Sequence, residues 1–149
     1  MADSILRNKT KQFSIEIIGI CREMKNNKIE YSLIDQLLRS GTSIGANVHE
    51  AQFAQGKKDF ISKFEIALKE CNECAYWLDI LLSTQSINPD KAKALMTETD
   101  EIRKILISSV TTLKSKDWFV AWYDFDTKIR TSLCNQNICS YISPENTGK

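Results

Sequence analysis

Glycine and proline are scarce, five and two in 149 residues. An all-β chain needs more turn residues than this, so the scarcity points to helices. Apolar runs are short, and none approaches the roughly 18 residues of a membrane-spanning helix. Met1-Ala2-Asp3-Ser4 lacks the apolar stretch of a secretory signal, so the glycosylation pattern at Asn8-Lys9-Thr10 is expected to be inert. Histidine occurs once, as His49, which excludes multi-histidine metal sites. Charge of one sign is also missing: 20 Lys+Arg stand against 19 Asp+Glu, a net charge of +1. The chain is neither a general polycation nor a general polyanion. The cysteines number five, an odd count that fits a reduced, cytoplasmic setting.

What is present has globular proportions, 42% hydrophobic and 26% charged. The length suits one domain with a core that needs neither disulfide nor metal. Charge is uneven along the chain. Residues 1–28 carry six basic and three acidic groups, residues 29–85 five and eight, residues 86–116 six and four, and residues 117–149 are net −1.

Four apolar stripes follow helical spacing. Phe13, Ile17, Ile20 and Met24 predict a first helix from Thr10 to about Met24, ended by Lys25-Asn26-Asn27-Lys28. Ile34, Leu37, Gly41, Ile44, Val48 and Ala51 predict a second, opening at Ser32 with Asp35 placed as in a capping box and closing at Gln55-Gly56. Gly41 and Gly45 lie inside it; each costs about 1 kcal/mol of helix propensity, which close approach of a neighbouring backbone can offset. Phe60, Phe64, Ala67, Cys71, Cys74, Leu78 and Leu81 predict the third helix, with a face broad enough for a bundle. Asn88-Pro89-Asp90 is a good helix start, and Leu95, Thr99, Ile102, Leu106, Ser109 and Leu113 carry the fourth. The expectation is an all-α, up-down-up-down antiparallel four-helix bundle over residues 1–116. A C-terminal tail, residues 117–149, begins aromatic and turns polar; it is expected to be partly disordered or interface-forming, with Trp118, Trp122 and Phe125 as interface anchors.

Catalytic and metal motifs fail one by one. His49-Glu50 begins like a zinc-protease motif, but position 53 is Phe. Gly56-Lys57-Lys58 lacks the first glycine, the Ser/Thr and the preceding strand of a phosphate-binding loop, and reads as a helix–helix turn. Cys71-x-x-Cys74 falls inside the apolar stripe and reads as buried small hydrophobes; a metal site shared with Cys134 and Cys139 is disfavoured. No Glu-x-x-His occurs, so a di-iron bundle is excluded. No enzyme activity, metal or cofactor is expected. One polar set remains: Arg39, Ser43, Asn47 and Glu50 form a stripe on the second helix that Glu73 on the third could meet. It reads either as a paired network fixing helix register or as a ligand- or partner-contacting surface.

The run from Leu37 to Ala51, with its Arg39-Ser40 and Ser43-Ile44-x-x-Asn47-Val48-x-Glu50 core, resembles the four-helix-bundle proteins encoded in intervening sequences of bacterial 23S rRNA genes, also labelled S23 ribosomal proteins. So do Lys58-Asp59-Phe60, Ile66 to Glu73, and Tyr76-Trp77-Leu78. The accessory variability proteins of diversity-generating retroelements are related. The resemblance covers roughly residues 8–116 and matches Arg39, Ser40, Ser43, Ile44, Asn47 and Glu50 to the family motif and Glu73 to its third-helix acid. It implies a homo-oligomeric ring, usually a pentamer, and no enzyme activity. The retroelement relatives bind nucleic acid and a reverse transcriptase. His49, where the family often has a small residue, and the aromatic tail depart from the pattern.

Two functions follow as expectations. In the first, the oligomer binds RNA or DNA through a basic surface of the first and fourth helices: Lys9, Lys11, Arg22 and Lys25 with Arg103, Lys104, Lys114 and Lys116. In the second, the ring or its tail is a scaffold that docks a protein such as a reverse transcriptase.

Overall fold

The computed structural model describes residues 2–115, with side chains from Ile5 onward. Lys116, Trp118, Trp122, Phe125 and the expected tail lie outside the described residues. The chain divides into two compact units, residues 1–111 and 112–149. Of the second, only residues 112–115 are described.

The stripes become α1 (Ala2–Asn26), α2 (Tyr31–Glu50), α3 (Lys57–Ser83) and α4 (Pro89–Lys114), with one 3₁₀ turn, Ala51–Phe53, between α2 and α3. None of the described helices is long and apolar enough to cross a membrane. Cross-helix contacts give the directions. Ile17 faces Gly41 while Ser14 faces Gly45, so α1 and α2 are antiparallel. Lys63 pairs with Glu50 at one end of α2 and α3, and Ser40 reaches Cys74 further along. Asn72 meets Arg103 between α3 and α4. Lys9 pairs with Glu101 and Glu23 with Lys91, closing α4 onto α1. The fold is the expected all-α four-helix bundle.

The boundaries differ from expectation where polar residues carry apolar duties. α1 starts eight residues before Thr10, because Leu6 is buried and Thr10 continues its stripe. Thr10 tolerates burial by donating its hydroxyl to the Arg7 carbonyl at 3.1 Å. The expected capping box on α2 is absent. Glu30 occupies the N-cap position without a side-chain cap, and its carbonyl accepts the Leu33 and Ile34 amides. Asn88 caps α4 as expected, its Oδ1 accepting the amides of Asp90 (2.9 Å) and Lys91 (3.2 Å). Ser109 is only half-buried, and Val110 is buried instead. A straight helix drifts about 20° per heptad against a 4-3 repeat, enough by the last turns to bring in the next residue.

Helices α1 and α3 end alike. Lys28 and Gln85 take left-handed backbone, with φ of 60° and 56°. In each, the next amide returns to a carbonyl five residues back, Ile29 to Met24 and Ser86 to Leu81. The left-handed residue's own amide returns three back, Lys28 to Lys25 and Gln85 to Leu82. These are Schellman closures without the usual glycine.

The glycines of α2 are used for approach rather than for φ. A Cβ at Gly41 would stand 2.8 and 2.9 Å from Cγ1 and Cγ2 of the fully buried Ile17. One at Gly45 would stand 3.0 Å from Ser14 Oγ and 3.2 Å from the Thr10 carbonyl oxygen. The α1 and α2 backbones are therefore closer than two alanine-lined helices could come.

A small polar layer crosses the core midway along the bundle. The Cys74 thiol lies within reach of the Ser40 and Thr99 hydroxyls and close to Cys21 and Cys71. All five residues are buried. Ser40 and Thr99 also donate to carbonyls of their own helices, Gln36 (2.8 Å) and Leu95 (2.7 Å). Burial pushes the thiols up, Cys21 to about 11 and Cys71 and Cys74 to about 12.

Two tests follow from this packing. Gly41→Ala should destabilise the fold by about 1–3 kcal/mol, because overpacking Ile17 outweighs the propensity gain. Gly19→Ala, where nothing lies within 4 Å, should stabilise by up to about 1 kcal/mol. Urea midpoints measure both. The thiols set a pH limit as well. Their folded pKa values lie above the unfolded value, so their contribution is complete below about pH 9 and is lost as pH rises toward about 12. The urea midpoint should fall over that window, and less in a Cys71→Ala/Cys74→Ala variant.

Candidate functional site

The motif divides by face. Gly41, Ile44 and Val48 point inward, and Ser40 joins the buried layer. Asn47 donates its side-chain amide to the Ser43 carbonyl on its own helix at 2.8 Å. Glu50 pairs with Lys63 of α3, and this carboxylate holds the lysine above its ordinary pKa. Glu73 accepts the Trp77 indole N–H at 3.4 Å. Arg39 is exposed and makes no hydrogen bond or ion pair among the described residues. The motif residues thus share the α2–α3 side of the bundle but do not form one connected network. Ser40, Asn47 and Glu50 are satisfied separately, and Arg39 and Glu73 are not joined.

Sequence reasoning missed Glu70. It lies beside both Glu73 and Arg39, and its carboxyl is pushed up by burial first and by Glu73 second, with Lys69 and Arg39 opposing. The signal was available, since Glu70 and Glu73 are three residues apart and share a helix surface. Apolar side chains accompany these charges. Ile66 and Tyr76 are exposed at 37% and 57%, and Tyr76 stands edge-on to Trp77 at 5.0 Å. At the end of α2, exposed Phe53 meets His49 edge-on at 5.6 Å.

The expected basic surface on α1 and α4 separates into paired and unpaired groups. Lys9 contacts Glu101 at 2.8 Å and Glu98 at 3.9 Å. The Glu101 hydrogen bond is the main reason its pKa is raised, and Lys9 in turn holds Glu101 below the carboxylate range. Glu98 behaves oppositely: its own burial raises it, helped by Glu16, despite Lys9 nearby. Arg103 pairs with Asp100 at 2.7 Å and reaches Asn72. Lys104 lies near Glu101. The α1–α4 seam is therefore a net acidic row, Lys9, Lys91 and the nearby Lys104 against Glu16, Glu23, Glu98 and Glu101, with Lys91–Glu23 at its far end. Lys11, Arg22 and Lys25 are exposed and pair with no carboxylate among the described residues. Lys114 is exposed in the last turn of α4.

The described residues contain no group of three or more His, Cys, Asp or Glu placed to hold a metal ion. Among curated proteins nothing matches this chain. Among solved structures, it is similar to a protein of unknown function from the S23 ribosomal protein family of Bacteroides thetaiotaomicron. The two are 41% identical, the match covers 75% of this chain and all of the other, and the TM-score is 0.73. Residues 2–108 match the family described as 23S rRNA-intervening sequence protein. With both the helical core and the α2–α3 motif inside the matched region, the chain belongs to the 23S rRNA-intervening sequence protein family.

Proposed function

We propose that this protein is a non-catalytic homo-oligomer, pentameric as its family resemblance implies, that binds nucleic acid through a basic surface. The observation that carries the assembly is the outer α2–α3 face. There Arg39 stands unpaired next to a part-buried Glu70 and its neighbour Glu73, flanked by exposed Ile66 and Tyr76. Aromatic and arginine anchors within a patch of this kind are what protein interfaces concentrate. In a closed ring the contact is heterologous, so this face meets a different face of the next copy. The thiols support the non-catalytic reading. They are the strongest nucleophiles among the described side chains, yet all three are buried and shifted to about 11 or 12.

Sedimentation velocity tests the assembly. The wild-type chain should sediment as a discrete multimer. Ile66→Glu/Tyr76→Glu and Arg39→Glu should shift it toward the mass of one chain with an unchanged far-ultraviolet circular dichroism spectrum. A wild-type chain that stays monomeric at its highest soluble concentration defeats the proposal.

A further inference from the structure

The register of α1 against α2 gathers the unpaired cations of the first helix on one side of the bundle. Lys9, Glu16 and Glu23 recur every seven residues, and their contacts with Glu101, Glu98 and Lys91 turn that row toward α4. Arg7, Ser14 and Cys21 form another such row. Their contacts with Gln52, with the space over Gly45 and with the Ile34 carbonyl turn it toward α2. Lys11, Ile18 and Lys25 stand next outward on that same α2 side, with Arg22 on the adjoining ridge. Across the groove, α2 presents Asp35, Thr42 and His49 in the matching row.

The carboxylates of these two helices are mostly directed elsewhere. Glu16 and Glu23 face α4, and Glu50 is held by Lys63 of α3. Glu30 and Lys28 are both exposed at the loop between the helices. Among the described side chains, the outer α1–α2 face therefore carries Arg7, Lys11, Arg22 and Lys25 against one carboxylate, Asp35. Lys11 and Lys25 are 14 residues apart, about 21 Å along the helix axis. That length corresponds to about six base pairs of duplex rise.

We propose that this α1–α2 face, rather than the α1–α4 seam, binds the phosphate backbone of nucleic acid, with Lys11, Arg22 and Lys25 as its principal cations. The assignment rests on the nucleic-acid reading above and adds the location. Charge complementarity carries it. A row of ammonium and guanidinium groups without carboxylate partners keeps its full attraction for phosphate, whereas a lysine already bound to glutamate must exchange one anion for another. Recognition of this kind is independent of sequence and sensitive to salt.

Fluorescence anisotropy on the full chain tests it with two probes, a structured 23S rRNA fragment and a DNA duplex of equal length, over a series of salt concentrations. Lys11→Glu/Lys25→Glu is compared with a charge-matched pair on α4, Lys93→Glu/Lys104→Glu. The α1 pair should lose at least about tenfold in affinity and about two in the slope of log affinity against log salt. The α4 pair should stay within about twofold. Circular dichroism and sedimentation should match wild type for both variants. If wild type binds and the α4 pair loses as much as the α1 pair, the location is wrong while nucleic-acid binding stands. If wild type binds neither probe at the lowest salt, both readings fall. Whichever probe binds more tightly identifies RNA or DNA as the source of the phosphates.

Discussion

The contact between Ile17 and the bare backbone of Gly41 governs the shape of the bundle. Dispersion attraction is short-ranged, so every fraction of an ångström between helix axes changes how many side-chain atoms touch. Removing Cβ at positions 41 and 45 lets α1 settle directly onto α2, with Ser14 and the Thr10 carbonyl lying over Gly45. The backbones of α1 and α3 both run close to α2, whereas α4 stands further out. It is held by Leu95, Ile102 and Leu106 and by the polar seam along α1. The family motif is thus in large part a packing device, and its small residues are needed where they are because Ile17 needs the space.

That device also decides which side chains face outward. With Ser40, Gly41, Ile44 and Val48 committed inward, the rest of α2 has two outer flanks. One, toward α3, carries Gln36, Ser43 and Glu50, with Arg39 on the ridge beside Glu70. The other, toward α1, carries Asp35, Thr42 and His49. The flanks differ in character. The α3 side mixes opposite charges with aromatic and aliphatic surface, suited to a protein surface. The α1 side adjoins Arg7, Lys11, Arg22 and Lys25 of α1 and, among the described side chains, faces them with the single carboxylate Asp35, which suits a polyanion. A net charge of +1 is therefore the sum of unlike faces.

The helices and most of the core were legible in the sequence because burial imposes a period. All seven expected stripe residues of α3 are buried. Asn88 was legible as a cap because its chemistry is local. What escaped notice depends on partners distant in sequence. Leu6 lies beyond Thr10, whose hydroxyl looks like a stop until its bond to Arg7 is seen. The basic set on α1 and α4 looked continuous because a list of lysines does not show that Lys9 has two glutamates and Lys11 none. Glu70 carried a local signal in Glu73, three positions on, but its burial and its approach to Arg39, thirty-one positions earlier, come only with the packed helices.

The two Schellman closures have a consequence for how the bundle holds together. Lys28 and Gln85 stand in the α1–α2 and α3–α4 connections, which an up-down-up-down order places at the same end. Left-handed backbone at a residue with a side chain costs roughly 1–2 kcal/mol. Each link at that end therefore stores conformational energy that glycine would remove. The α2–α3 link, where Gly56 in extended backbone leads from the 3₁₀ turn into α3, stores none of this kind. Opening the α1–α2 or α3–α4 link releases that energy, whereas opening the α2–α3 link releases none of it. That strain-free link carries the exposed His49–Phe53 pair.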